Sequence, residues 1–169
     1  MPFRQLSRLR VLLGSLLLSP LLFGCFATTT PTPRPVPPPP PTIVEITLAA
    51  TLDVNPDQAG RPSPVVVRVY ELKTANALLQ ADSMHIFSRD ESILGSDLRS
   101  RLEYTLSPGR TQFLRLEMKP DSQGVGVVAL FRDYLNTTWR DFMIISPNRV
   151  TPIVANIGAN RVALAVSSQ

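Results

Sequence analysis

The 169-residue chain has one cysteine, Cys25, and one histidine, His85. A single thiol excludes an internal disulfide, so any fold must hold by its core alone. There is no serine elbow, no phosphate-cradling glycine loop and no His/Cys cluster at metal-ligand spacing. Acidic residues are scattered, without a spacing that proposes a working carboxylate pair. His85, between Met84 and Ile86, reads as a structural or surface residue. These absences argue against an enzyme and leave no cofactor or metal to expect. No apolar run is long enough to span a bilayer. Residues 9–23 come nearest, but Arg10, two serines and Pro20 interrupt them.

That interrupted run has another reading. Arg4, Arg8 and Arg10 form a basic leader to an apolar stretch ending in Leu21-Leu22-Phe23-Gly24-Cys25. This is the pattern of a secretory signal closed by a lipobox, with residues 1–24 removed and Cys25 acylated. The small Gly24 before the cysteine suits cleavage there. Three acyl chains, at about 0.8 kcal/mol per buried CH₂, anchor far more firmly than one. Phe26 stands where an inner-membrane retention signal would place aspartate, so the expected site is the outer membrane, facing the periplasm. Charge agrees. The chain has 17 basic and 13 acidic residues, but three of the basic ones lie in the discarded leader. Near-neutrality then offers no case for nucleic acid.

Residues 25–42 form a tether. Eight of the eleven residues from 31 to 41 are proline, five of them consecutive. Proline fixes φ and removes the amide donor, which favours extended polyproline II and forbids a sheet. At about 3.1 Å per residue, residues 28–42 of the tether span on the order of 45 Å.

Residues 43–169 read as one domain. Strands are expected at 43–52, 65–72, 99–106, 111–119, 126–134, 139–146, 150–157 and 161–166; 43–52, 99–106 and 111–119 alternate with period two, 65–72 is apolar on both faces near its start and 126–134 is the most apolar. Turn residues separate them, as at Ser107-Pro108-Gly109-Arg110. Between the second and third, residues 74–81 have helical spacing. Asp82 and Asp90 are suited to cap two further helical turns before Gly95. The expected fold is all-β: an eight-stranded antiparallel β-sandwich with a short helical insertion. Its expected core includes Leu102, Tyr104, Leu114, Leu116, Val128, Leu130, Ile144, Val154, Val162 and Leu164, with Leu130→Ala expected to leave a costly cavity. Arg132-Asp133 and Arg140-Asp141 are expected to form an ion-pair network at strand ends. Trp139 is core if buried and a binding anchor if exposed.

The connection between the first two strands is long for a sheet. It comprises Asp53, Val54, Asn55, Pro56, Asp57, Gln58, Ala59, Gly60, Arg61, Pro62, Ser63 and Pro64. Its composition alone fits either a binding loop or a surface insertion.

Several segments resemble, in order, the outer-membrane lipoprotein of the bacterial type VI secretion system, the TssJ (SciN-like) family. They are VVVRVYELK at 65–73, AD-x-x-x-IF at 81–87, LGSDL at 94–98, LSPG at 106–109, VGVVALFRD at 125–133 and WR at 139–140. The resemblance implies a transthyretin-like sandwich carrying extra helices. It implies a non-enzymatic role, tethering the secretion machine's membrane complex by binding the periplasmic C-terminal domain of the inner-membrane protein TssM. In that family the loop between the first two strands makes the contact, which tips residues 53–64 towards binding. The loop is then expected to be exposed, with Asp57 and Arg61 as polar contacts, and replaceable with little loss of stability. The alternative is an unrelated envelope lipoprotein that binds a small ligand or a cell-wall polymer.

Overall fold

The computed structural model describes residues 37–167. The leader, Cys25 and the tether before residue 37 lie outside the described residues. Strand β1 (Ile43–Ala50) opens the domain, with Val44, Ile46 and Leu48 fully buried between half-buried neighbours. It is paired along both edges. β4 (Thr111–Glu117) runs antiparallel to it, and β7 (Val150–Ile157) runs parallel. β8 (Val162–Val166) completes a sheet of order β4-β1-β7-β8. The second sheet has the order β3-β2-β5-β6. It is built from β2 (Val65–Leu72), β3 (Leu98–Leu106), β5 (Gly124–Leu130) and β6 (Arg140–Ile144), all antiparallel. The eight-stranded sandwich is as expected. The parallel β1–β7 pair departs from the antiparallel rule, because its partners are joined through the rest of the domain rather than by a turn.

Between the sheets lies the main core, where Ile46, Leu48, Val67, Val69, Val127 and Ile153 are buried. A second core covers the other face of β2 and β5. Helices α1 (Asn76–Gln80) and α2 (Ser83–Leu94) pack Leu78, Ile86 and Leu94 onto Tyr70, Leu72 and Val128. A methyl group at Gly126 would lie 2.4 Å from Leu78 Cδ2, so glycine is what lets α1 approach the sheet.

This two-faced burial corrects part of the expected core. Leu114, Val128 and Val162 are buried, and Leu102, Tyr104, Leu116, Val154 and Leu164 are half-buried. Leu130 and Ile144 are instead 42% and 77% exposed. In β5, Val125, Val127 and Ala129 point between the sheets, while Val128 points at the helices. Leu130 shares the Val128 face but is left partly uncovered. Ile144, on the outer face of edge strand β6, is uncovered too.

A buried charge cluster holds the helices down. α2 is capped by Asp82, whose carboxylate accepts the Met84 N–H at 2.8 Å, and it kinks at Arg89 (φ −143°, ψ 33°). The kink turns Asp90 inward, where it is 4% exposed. Asp90 accepts from Tyr70 Oη at 3.0 Å, Arg68 Nη1 at 3.1 Å and Arg101 Nη1 at 3.0 Å. Burial works against the Asp90 charge. The hydrogen bonds from Arg101 and Tyr70, with the charges of Arg68 and Arg101, outweigh it and hold the carboxyl below its ordinary range. Burial pushes the Tyr70 hydroxyl far up, so it stays a donor. Arg68 also reaches Glu103 at 2.6 Å, which ties β2, β3 and α2 together.

These contacts predict different costs for similar truncations. Ile46→Ala should destabilise by about 2–5 kcal/mol through the cavity it leaves. Leu130→Ala should cost under about 1 kcal/mol, because its side chain is already partly solvated. Asp90→Ala should cost about 3–5 kcal/mol by stranding buried partners. Urea-denaturation midpoints of the three variants test the order.

Candidate functional site

Topology gives the sandwich two unlike ends. The chain enters at Thr42, beside Asn148 and Met118. β1 carries it across the domain, so residues 51–64 emerge at the opposite end. The same end holds the β3–β4 turn (107–110), the β5–β6 link (131–139) and the β7–β8 turn (158–161). Backbone bonds stitch them together. Ala50 N–H donates to Arg110 at 3.0 Å, Gly109 N–H to Thr51 at 3.1 Å and Thr138 N–H to Asn160 at 3.0 Å.

The β1–β2 loop is more built than its composition suggests. Val54, Asn55 and Ser63 are buried, at 0%, 4% and 8% exposure, which corrects the expectation of a wholly exposed loop. Val54 joins the main core. Asn55 adopts a left-handed φ of 48°, a conformation asparagine tolerates better than most residues. Its side chain donates to Pro64 O at 2.8 Å and accepts the Arg132 N–H at 2.8 Å. One asparagine thereby closes the loop and ties it to the β5–β6 link. It also explains why β5 ends at Leu130 rather than running on to Tyr134: the Arg132 amide is diverted to Asn55. A short Gly-Ser replacement of the whole loop would remove core, contrary to the expectation of near-neutral stability.

Beyond this clamp the loop closes on itself. Asp57 N–H donates to Arg61 O at 2.9 Å, and Gly60, at φ 75°, turns the chain between them. The Asp57 carboxylate accepts from the amides of Ala59 and Arg61 at 2.9 and 3.0 Å and pairs with the Arg61 guanidinium at 2.8 Å. The two expected contact residues thus bind each other first. The Arg61 amide, then its guanidinium, hold the Asp57 carboxyl below the ordinary 3.8 of an aspartate. Gln58, Ala59, Gly60, Arg61, Pro62 and Pro64 are exposed, as is Asp53 at the start of the loop; Pro56 is half-buried. Between this loop, the link and the β7–β8 turn lies an open recess of about 1040 Å³. Phe131, Arg132, Thr137 and Asn160 line it opposite Asp57 and Arg61. Thr137 Oγ1 is buried there without a hydrogen-bond partner.

The other candidates fall elsewhere. His85 is exposed on α2, 3.3 Å from Asp82. The two Arg-Asp pairs form no ion-pair network among the described residues, which corrects that expectation. Arg140 donates to the carbonyls of Ala81 and Leu79, both at 2.5 Å, satisfying the end of α1. Asp141 accepts the amides of Leu164 at 2.7 Å and Phe142 at 2.8 Å. Arg140 and Asp141 thus each meet backbone, whereas Asp133 accepts from the Asn136 side chain. Trp139 is half-buried against both cores, with Arg140 stacked 4.4 Å from its ring. Among the described residues no three His, Cys, Asp or Glu side chains converge as metal ligands, and no helix is long and apolar enough to cross a membrane.

The described residues thus form a β-sandwich with a helical cover and a structured loop end. The chain belongs to the family of type VI secretion lipoproteins that includes VasD, EvfM and TssJ, whose model matches residues 42–169. This is a family of structural lipoproteins, not of enzymes. The chain is similar to the T6SS lipoprotein TssJ1 from Pseudomonas aeruginosa, with 31% identity over 77% of this chain and 99% of that one, and a TM-score of 0.74. It shares its fold with Serratia marcescens Lip, a membrane-bound component of the type VI secretion system. There the identity is 23% over 76% of this chain and 99% of that one, with a TM-score of 0.66. It also shares its fold with a chain in a structure of the T6SS protein TssM C-terminal domain from EAEC. That match has 24% identity over 73% of this chain and 98% of that one, with a TM-score of 0.62. No curated protein matches the chain.

Two outcomes follow from the clamp and the turn. Asn55→Ala should cost about 1–3 kcal/mol, because it removes two part-buried hydrogen bonds, from the Arg132 N–H and to Pro64 O; a thermal melt reads this. Asp57 is depressed in the folded state, so its ordering of the turn is complete above pH 3.8 and is lost as pH falls through its lower folded value. Amide exchange at Ala59 and Arg61, corrected for intrinsic rates, should therefore lose protection only in that acid window.

Proposed function

We propose that this lipoprotein is acylated on Cys25, sits on the periplasmic face of the outer membrane, and binds the periplasmic C-terminal domain of TssM through residues 53–64. The observation that carries this reading is a self-closed, projecting turn at the end of the sandwich opposite the chain's entry. A tether leading back to lipid would leave that end free to meet a partner. Because Asp57, Arg61 and the prolines already order the turn, docking loses little conformational entropy, and a modest contact area suffices. Family membership supports the secretion role. The lipobox supports the anchor, and the absence of aspartate at position 26 supports the outer membrane.

Two experiments test it. Cys25→Ser should give a folded domain released from the membrane fraction without incorporated palmitate; equal labelling of the variant would contradict acylation at this residue. Replacing residues 57–61 with Gly-Gly keeps Val54, Asn55 and Ser63, so the melting temperature should shift only slightly. Binding to the TssM domain should be lost. Wild-type affinity in this variant would move the contact elsewhere, with the helical insert at residues 74–94 the next surface to test.

A further inference from the structure

The loop end carries charges and apolar side chains that the fold itself does not use. Arg110, Arg132 and Arg161 are exposed, and none takes part in an ion pair among the described residues. The carboxylates at this end are already engaged. Asp57 holds Arg61, Asp53 accepts from Thr51 at 2.5 Å, and Asp133 accepts from Asn136 at 3.0 and 3.1 Å. Arg132 lies near enough to Asp57 to favour its charge, yet the Asp57 oxygens are occupied by Arg61 and Ala59. The most exposed large apolar residues, Leu52 and Leu135, stand at the same end, each 79% exposed. Leu135 is presented by a link pinned at both sides, by Asn55 to Arg132 N–H and by Asn160 to Thr138 N–H. A solvated leucine on a fixed segment contributes nothing to folding.

We infer that the docking surface extends from the β1–β2 loop across the recess onto the β5–β6 link, and that it receives an acidic segment of the partner flanked by apolar side chains. Arg132 meets the carboxylates, with Arg110 and Arg161 steering the approach. Leu135 and Leu52 are covered by the apolar flanks. Guanidiniums without internal partners are free to form bidentate pairs with carboxylates, and unpaired charge at a rim acts chiefly on association rate. The inference rests on the TssM-binding reading above and adds a second wall and a sign of charge to it.

The test uses the full chain and the TssM periplasmic domain, with association and dissociation measured at low and high salt. Arg132→Glu keeps the backbone amide that Asn55 needs. It should slow association about tenfold at low salt and flatten its salt dependence, and Arg132→Lys should restore most of the rate. Leu135→Asp should speed dissociation about tenfold, with an unchanged melting temperature. Wild-type rates and salt dependence in both variants, alongside lost binding when residues 57–61 are replaced, would overturn this inference and leave the loop as the contact. A wild-type chain that does not bind the TssM domain at all would overturn both.

Discussion

The double pairing of β1 is the constraint from which the rest of the molecule follows. β1 is the first strand, yet it lies inside its sheet, bonded to β4 on one edge and β7 on the other. An interior strand cannot fray or slip without breaking two ladders, and a one-residue slip would expose Val44, Ile46 and Leu48. The chain's entry is therefore locked at one end of the sandwich. Eight residues at about 3.3 Å each carry it roughly 26 Å to the other end. The β1–β2 loop therefore emerges at the end of the sandwich opposite the chain's entry.

Polar side chains then finish what the strands begin. At the loop end, Asn55 joins two connections that would otherwise be independent. Over the second sheet, Asp90 joins α2 to β2 and β3 through Tyr70, Arg68 and Arg101. At the entry end, buried Glu71 does similar work, accepting from Lys119 N–H at 2.5 Å, Ser122 Oγ at 2.6 Å and Ser100 Oγ at 2.9 Å. Each is a buried polar side chain whose partners come from separate segments, so removing one member leaves others unsatisfied. Connections held in this way present side chains at fixed positions, as a recognition surface requires.

How much of this was legible in the sequence depended on distance along the chain. Alternation is plain in β1, β3 and β4, where one buried face imposes a period of two. It failed on β5, where Val127 and Val128 are both buried under different layers and no period shows which face Leu130 shares. Asp82 was readable as a cap from its neighbours. Asp90 looked the same, and its role was hidden because Arg68, Tyr70 and Arg101 lie 22, 20 and 11 residues away. The candidate loop was found by its length and by the family resemblance. Its clamp was not, since Asn55 acts on Arg132, 77 residues distant. Arg132-Asp133 and Arg140-Asp141 suggest a strand-end ion-pair network because adjacent opposite charges invite pairing, whereas Arg140 and Asp141 meet distant backbone groups and Asp133 meets Asn136.

In the proposed function, the partner docks at the end of the sandwich opposite the chain's entry. Hydrogen exchange of the full chain, alone and saturated with the TssM periplasmic domain, tests that most directly. New protection is expected at residues 51–64, 131–139 and 158–161, with exchange at the helical insert and at residues 118–123 and 145–149 unchanged. Protection that instead appears on the insert or at the entry end, with the loop end unaltered, would contradict it.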